Sequence, residues 1–114
     1  MTTILLVCGG REYADREHMF KVLDDALAYY GELIVVHGGA RGADYLAGCW
    51  ARLRHQHEVP VSAMWTHYGR AAGAKRNAAM LCLRPAAVLA FPGASGTADM
   101  VYKARMAGVP VWIV

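Results

Sequence analysis

The chain has 114 residues, of which 56% are hydrophobic and 18% are charged, and its formal net charge is +3. This length is enough for one domain with a hydrophobic core, and the composition excludes an intrinsically disordered chain. Only 3 of the 12 basic residues are lysines, which argues against a diffuse nucleic-acid-binding surface and favours discrete arginine contacts with phosphate or carboxylate. We therefore expect a single domain over residues 1–114.

Nothing in the sequence indicates a secreted or membrane protein. The first residues form no basic leader, and no apolar run approaches the roughly 18 residues that a membrane-spanning helix needs. The three cysteines, Cys8, Cys49 and Cys82, lie in apolar segments without a metal-binding spacing, which is typical of small buried residues in a reducing compartment. We expect a cytoplasmic protein with no metal, no cofactor and no membrane contact.

Five short apolar runs predict five β-strands, at residues 3–8, 33–36, 59–64, 86–91 and 109–114. The runs are continuous rather than alternating, which is typical of strands that are covered on both faces. Each of the four connections between these runs carries apolar residues at helical spacing. The four stripes are Met19, Leu23, Ala26, Leu27 and Tyr30; Ala43, Leu46, Ala47, Trp50 and Leu53; Ala74, Ala78 and Leu81; and Met100 or Val101 with Ala104 and Ala107.

This alternation of strands and helices predicts the fold class. Short connections between alternating elements imply right-handed crossovers and a parallel sheet. We expect an α/β protein with a Rossmann-like three-layer architecture, in which about five parallel strands carry helices on both faces.

The unusual residues of the chain fall on the connections that follow the strands, where ligands bind in sheets of this kind. These connections contain Gly9, Gly10, Arg11 and Tyr13 after the first strand; Gly38, Gly39, Ala40, Arg41, Gly42 and Asp44 after the second; Trp65, Gly73, Arg76 and Asn77 after the third; and Pro92, Gly93, Ala94, Ser95, Gly96 and Thr97 after the fourth. We expect all of them at one ligand-binding edge.

The turn at residues 92–97 predicts an anion site, because its glycines let backbone amides approach a ligand at the start of a helix. Arg76 supplies a fork for phosphate, and the neighbouring Asn77 offers an amide that can read a base or a ribose. Tyr13 and Trp65 either stack on a base or pack ordinarily, and the sequence leaves both interpretations open. A tight strand-to-helix connection is the alternative for each glycine-rich stretch.

Two carboxylates are candidate catalytic residues, Asp99 and Asp44. Asp99 could accept a ribose hydroxyl or orient water, or it could only offset the dipole of its helix as a first-turn acid. His37 is a weak candidate for a general base, since no carboxylate at a readable spacing is positioned to orient it.

Four motifs resemble the YpsA-related branch of the SLOG superfamily, a Rossmann-like group that also includes the LOG cytokinin-activating phosphoribohydrolases. They are GGREYADRE at 9–17, HGGARGAD at 37–44, the series from Trp65 to Asn77, and FPGASGTADMVYKAR at 91–105. The resemblance covers essentially the whole chain and implies a nucleotide or nucleotide-derived ligand at the glycine-rich edge.

The LOG enzymes are similar in an arginine helix followed by PGGxGTxxE. Arg76 falls where their arginine stands, but Ala94 replaces the second glycine and Met100 stands where the LOG pattern has its glutamate. Asp99 is one residue earlier, about 100° around the helix. This departure argues against LOG-type N-glycosidic hydrolysis.

The leading hypothesis is therefore a binding protein, a sensor or sequestering protein for a signalling nucleotide or an ADP-ribose-like ligand. A nucleotide or nucleoside-phosphate N-glycosidic hydrolase is the alternative, and single-stranded nucleic-acid binding is a weaker one. Enzymatic activity is left open. We also expect a homodimer or higher homo-oligomer, with apolar faces around Leu46, Trp50, Met80 and Leu81 in the interface.

Overall fold

The computed structural model describes residues 2–114, which form a five-stranded parallel sheet with helices on both faces. The strands lie in the order β3-β2-β1-β4-β5. The elements in chain order are β1 (Thr3–Cys8), α1 (Arg16–Tyr30), β2 (Leu33–His37), α2 (Ala43–Leu53), β3 (His57–Pro60), α3 (Trp65–Tyr68), a 3₁₀ turn (Gly69–Ala71), α4 (Ala72–Leu81), β4 (Ala87–Ala90), α5 (Ser95–Met106) and β5 (Val111–Ile113). The predicted Rossmann-like α/β architecture is confirmed.

The central strand β1 divides the core into two layers. Its side chains alternate, so that Leu5 and Val7 pack with α1 and α2 on one face, while Leu6 and Cys8 pack with α4 and α5 on the other. Every residue of β4 is also buried. These two strands are continuous apolar runs because both of their faces are covered.

The two edge strands differ from the prediction. The third strand occupies His57–Pro60 instead of 59–64, and the fifth is limited to Val111–Ile113. Both edge strands are largely exposed, because each has a neighbour on one side only. Residues 61–64 leave the sheet after Pro60 and form part of the loop that reaches the candidate site.

Helix α4 buries a different face from the predicted one. Ala74 and Ala78 are exposed, whereas Asn77 and Met80 are buried against the sheet and α5. A polar residue faces inward here because its amide finds hydrogen-bond partners on α5. Of the predicted apolar stripe at 74, 78 and 81, only Leu81 packs against the core.

Two further expectations need correction. Trp50 and Met80 are buried in the core of their own subunit, so they are not available for the predicted subunit interface. Of the three cysteines, Cys8 is buried and Cys49 is partly buried, but Cys82 is exposed at the end of α4. Within residues 2–114, the helices are all too short or too polar to cross a bilayer.

Candidate functional site

A cavity of about 420 Å³ opens at the edge of the sheet where β1, β2 and β3 end. We call it the arginine cleft. It is lined by Arg11, Gly38, Gly39, Ala40, Arg41, Ser62, Ala63, Trp65 and Arg76. Seven of these nine residues were predicted at the ligand-binding edge, and the structure brings them together from three separate connections. Ser62 and Ala63 were missed because their segment was assigned to a strand.

Arg76 is held in a fixed orientation inside the cleft. Its Nη1 donates to the carbonyl oxygen of Gly38 at 2.6 Å, and its Nε donates to Oδ1 of Asn77 at 3.1 Å. A side chain at position 38 would displace this guanidinium, so glycine there allows Arg76 to take this orientation. The remaining N–H groups of Arg76 are thus aimed by the protein before any ligand arrives.

Two more guanidinium groups border the same cavity. Arg11 lies over the ring of Trp65, 5.4 Å from its centroid, and Trp65 is about half exposed. Arg41 pairs with the exposed Glu12 at 2.6 Å. Among residues 2–114, neither Arg11 nor Arg76 forms an ion pair with a carboxylate. The cleft therefore combines two guanidinium groups that form no close ion pair with an aromatic surface.

Two backbone amides of the β2–α2 loop, those of Gly39 and Ala40, are already bonded inside the protein. The amide of Gly39 donates to Nδ1 of His37 at 3.0 Å, and that of Ala40 donates to Oδ2 of Asp44 at 3.2 Å. Burial raises the pKa of Asp44, and this outweighs the opposing effects of the hydrogen bond from the Ala40 amide and of the positive charge on Arg76. The amides of Gly39 and Ala40 are therefore not free to bind a ligand, whereas the side chain of Arg41 borders the cleft.

The β4–α5 turn, residues 92–97, is arranged in the opposite way. The first hydrogen bond of α5 runs from Ala98 N to Ala94 O at 3.0 Å, and none of the described residues accepts a bond from the amides of Ser95, Gly96 or Thr97. A Cβ atom added at Gly96 would meet nothing within 4 Å. This helix start is therefore open to an acceptor group, as an anion site requires.

The turn also borders a second cavity of about 470 Å³, which we call the edge groove. Its lining is Ala90, Phe91, Pro92, Gly93, Ala94, Thr97, Ala98, Val101, Tyr102, Arg105, Met106, Ile113 and Val114. Gly10, which precedes Arg11 of the cleft, donates its amide hydrogen to the carbonyl oxygen of Pro92 in the lining of the groove at 2.8 Å. Gly93 packs so closely on Gly10 and Thr97 that a side chain there would collide with both.

Asn77 and Asp99 connect α4 to α5. Asn77 is 4% exposed, and its Nδ2 donates to Gly96 O at 3.1 Å and to Asp99 Oδ2 at 3.0 Å. Asp99 also accepts from Lys103 Nζ at 2.7 Å. Burial acts to raise the pKa of Asp99, but the hydrogen bonds from Lys103 and Asn77 lower it below its ordinary value. Both side chains are engaged with protein groups and lie outside the lining of the cleft.

The position of Asp99 in its helix also differs from the expectation. Because α5 begins at Ser95, Asp99 stands in the second turn and not in the first. The next residue, Met100, is completely buried in the core with Met80 and Ala104. The residue that stands at the LOG glutamate position therefore points away from solvent and from the cleft.

The structure supplies a partner for His37 that sequence spacing did not show. Nε2 of His37 lies 2.6 Å from Oε2 of Glu58, which comes from the neighbouring strand β3. The statement that no carboxylate orients His37 is thus wrong. The only sequence signal was Glu58 itself, a carboxylate within the short strand β3. This signal points to His37 only when β3 is known to lie next to β2 in the sheet.

Three other predicted residues serve packing. Tyr13 packs against Phe91 with the two rings tilted by 54° and their centroids 5.3 Å apart, and its hydroxyl donates to Asp15 O at 3.1 Å. Gly9 lets β1 approach α2 and β4, since a Cβ there would collide with Ala43. Gly73 faces the ring of Trp65 at the start of α4. They support the walls of the site without lining the cleft.

Comparisons with known proteins agree with this arrangement. The Gene 61 protein of Mycobacterium phage D29 is 40% identical over 116 residues, which cover 94% of this chain and 92% of that protein. The X-ray structure of TM1055, a structural genomics target, superposes with a TM-score of 0.72 at 20% identity, over 96% of this chain and 72% of that one, and shows a shared fold. The profile of the family described as "YspA, cpYpsA-related SLOG family" matches residues 3–68. The chain therefore belongs to the YspA, cpYpsA-related SLOG family.

Proposed function

We propose that the protein binds a nucleotide or a nucleotide-derived phosphorylated ligand, ADP-ribose-like or a signalling nucleotide, as a sensor or sequestering protein. The observation that carries the proposal is the arginine cleft. Three guanidinium groups border one cavity, two of them without a carboxylate partner, beside a half-exposed indole. The volume of about 420 Å³ suits a small molecule.

The chemistry of the cleft favours phosphate. A pre-oriented guanidinium forms paired, charge-assisted hydrogen bonds with phosphate oxygens, and Arg76 has N–H groups left for this purpose. The open amides at the start of α5 offer a second anion contact on the far side of Gly10. The indole of Trp65 offers a face for a base. A ligand with two phosphates and a base would use all three features.

N-glycosidic hydrolysis is the alternative, and the geometry supports it less well. Such a reaction needs a carboxylate free to act on the sugar or on water. Asp44 is buried under its own loop, Asp99 is bonded to Lys103 and Asn77, and Met100 is in the core. Single-stranded nucleic-acid binding is weaker still, because Trp65 is the single aromatic residue among those that line the cleft.

The test is a panel of AMP, ADP-ribose, NAD and cyclic nucleotides, followed in parallel by calorimetry and by chromatography of the mixtures. Binding without change of the ligand supports the proposal. Release of a base or ribose supports the hydrolase instead, and silence across the panel rejects both. Titration with an oligonucleotide over a salt series tests the nucleic-acid alternative, since phosphate contacts give a steep salt dependence.

We also propose that the protein forms a homodimer or a higher homo-oligomer in the cytoplasm. The support for an interface lies at β5 and α5, where Tyr102, Met106, Trp112 and Ile113 are 57% to 71% exposed around the edge groove. Light scattering of the protein and of Trp112→Glu tests this: an oligomer that the substitution dissociates is expected, and a monomeric mass contradicts it.

A further inference from the structure

The imidazole of His37 stands between a carboxylate and the floor of the arginine cleft. It is 4% exposed at the end of β2. Nδ1 accepts the amide hydrogen of Gly39 at 3.0 Å, and because an amide can only donate, Nδ1 carries no proton. The proton of the neutral ring is therefore on Nε2, which donates it to Oε2 of Glu58 at 2.6 Å.

The fold holds Glu58 in place for this contact. Its Oε1 accepts from Nη1 of Arg52 at 2.5 Å. Burial acts to raise the pKa of Glu58, but the hydrogen bonds with His37 and Arg52 lower it below its ordinary value, so that the carboxylate is charged at neutral pH. The residue of α2 above the pair is Gly48, where a side chain would collide with the Glu58 carboxylate.

The loop that His37 holds is part of the cleft wall. Gly39 has a φ of 70°, a left-handed conformation that the hydrogen bond to His37 helps to maintain. The preceding residue, Gly38, accepts the hydrogen bond that orients Arg76. The backbone of Gly38 and Gly39 therefore links Nδ1 of His37, as a hydrogen-bond acceptor, to the orientation of the Arg76 guanidinium.

A second proton on the imidazole would break this connection. It can only go to Nδ1, which would then present N–H to the N–H of Gly39, so the hydrogen bond would be lost. The charged groups that face His37 are Glu58 from β3, Arg52 and Asp44 from α2, and Arg76 from α4 across the loop. Histidine is the side chain that commonly changes charge between pH 5 and 8.

We propose that the His37–Glu58 pair positions the Gly38–Gly39 loop and makes the arginine cleft pH-sensitive, with ligand binding weakened when His37 takes up its second proton. This inference rests on the proposed function for its ligand. The positioning itself does not, since the link between the imidazole and the loop exists in the free protein.

The first experiment is ¹H–¹⁵N NMR of the free, ¹⁵N-labelled protein from pH 8 to pH 5. The ring nitrogens should report a protonated Nε2 and a bare Nδ1 at pH 8, and the Gly39 amide should shift with the same midpoint as the imidazole. A ring that carries its proton on Nδ1, a ring that keeps its state over the whole range, or a Gly39 amide that ignores the titration would overturn the inference.

Glu58→Gln provides the readout that a merely structural role would not move. Loss of the negative charge next to Nε2 should lower the midpoint of the Gly39 titration by about one pH unit. Gly48→Ala, which displaces the carboxylate without removing an ionisable group, should act in the same direction. His57→Asn, at an exposed histidine of the same strand, is the control and should leave the midpoint unchanged; an equal shift in this control would contradict the assignment.

The second experiment is calorimetric titration with ADP-ribose, whose pyrophosphate keeps its charge between pH 5.5 and 7.5. The dissociation constant should rise about tenfold or more from pH 7.5 to pH 5.5, and Glu58→Gln should move this transition with the NMR midpoint. A constant affinity would overturn the inference while leaving the proposed function intact. Absence of binding at both pH values would count against ADP-ribose as ligand, and the NMR result would still decide whether His37 positions the loop.

Discussion

The two glycine-rich connections of this protein look alike in sequence but are built in opposite ways. In the β2–α2 loop, side chains of His37 and Asp44 accept the backbone amides of Gly39 and Ala40. In the β4–α5 turn, the amides of Ser95 to Thr97 are left open at a helix start. Glycine density alone therefore does not identify an anion nest, because the neighbouring side chains decide whether the amides are available.

The glycines themselves differ in the same sense. Gly42, with a φ of 80°, and Gly93 are required by close contacts with other backbone atoms. Gly96 has no such protein neighbour. The first two serve the fold, whereas no protein contact requires glycine at position 96, where the proposed ligand would approach the backbone.

The largest expected effect is at Arg76, which is hydrogen-bonded to Gly38 of the β2–α2 loop. Arg76→Ala should weaken nucleotide binding by about 2–3 kcal/mol, roughly 30- to 160-fold in Kd, because charge-assisted hydrogen bonds are lost. Calorimetry with the best ligand of the panel measures this. Arg84→Gly is the control, at the opposite edge of the sheet and at a φ of 55° that glycine adopts freely. Equal affinities of wild type and Arg76→Ala would remove Arg76 from the site.

The next effect concerns the loop whose amides are bonded internally. Asp44→Ala leaves the Ala40 amide without an acceptor and should cost about 1–3 kcal/mol of unfolding free energy. Because burial raises the pKa of Asp44 above its ordinary 3.8, the wild-type advantage should be fully present below that ordinary value and shrink as the pH rises through the raised pKa. Urea unfolding at several pH values checks both points, and an advantage that grows with pH would contradict the assignment.

A smaller effect is expected at the open turn. Gly96→Ala should leave the melting temperature unchanged or slightly higher, because the new methyl group meets no protein atom. It should nevertheless weaken binding about tenfold if the ligand closes on the helix start. Gly93→Ala is the contrast, since it should destabilise the protein itself. Undiminished affinity in Gly96→Ala would show that the ligand stays within the arginine cleft.

The smallest effect is expected at the link between α4 and α5. Asp99→Asn weakens a partly exposed ion pair with Lys103 and should cost less than about 1 kcal/mol. Since the pKa of Asp99 lies below its ordinary 3.8, this stabilisation is present at neutral pH and is lost as the pH falls below that range, the reverse of the trend at Asp44. Thermal melts of Asp99→Asn and Asp44→Ala at pH 7 and pH 3, each measured against the wild type, compare the two trends. Abolished ligand binding or turnover in Asp99→Asn would instead place the carboxylate in the site.

The sequence predicted strand bounds correctly where the apolar residues of a run are also the buried ones. The run at Thr3–Cys8 was placed with its observed bounds because a strand covered on both faces leaves an unbroken apolar signal. The edge strands were misplaced because apolar residues continue beyond their ends: the run that predicted β3 extends to the exposed Met64, and the run that predicted β5 extends from Val109 to Val114. The content of the arginine cleft followed from the rule that parallel strands present their carboxyl ends together.

The remaining features depend on partners far apart in the chain. The inward face of α4 is decided by Asn77, whose partners Gly96 and Asp99 lie on α5. The contact between His37 and Glu58 requires β3 to lie next to β2. No local pattern reports such pairings, which is why the hydrogen-bonded parts of the site were the least predictable.

The burial of Met100 limits how the arginine cleft could be converted into the site of a hydrolase. A glutamate at this position would place a charge among buried apolar residues, including Leu6, Val36 and Met80. The substitution should unfold the protein before it creates activity. LOG-like chemistry would first require a rotation of α5 about its axis or a carboxylate from another element. The proposed nucleotide binding and LOG-like hydrolysis are therefore separated by several coordinated substitutions rather than by a single one.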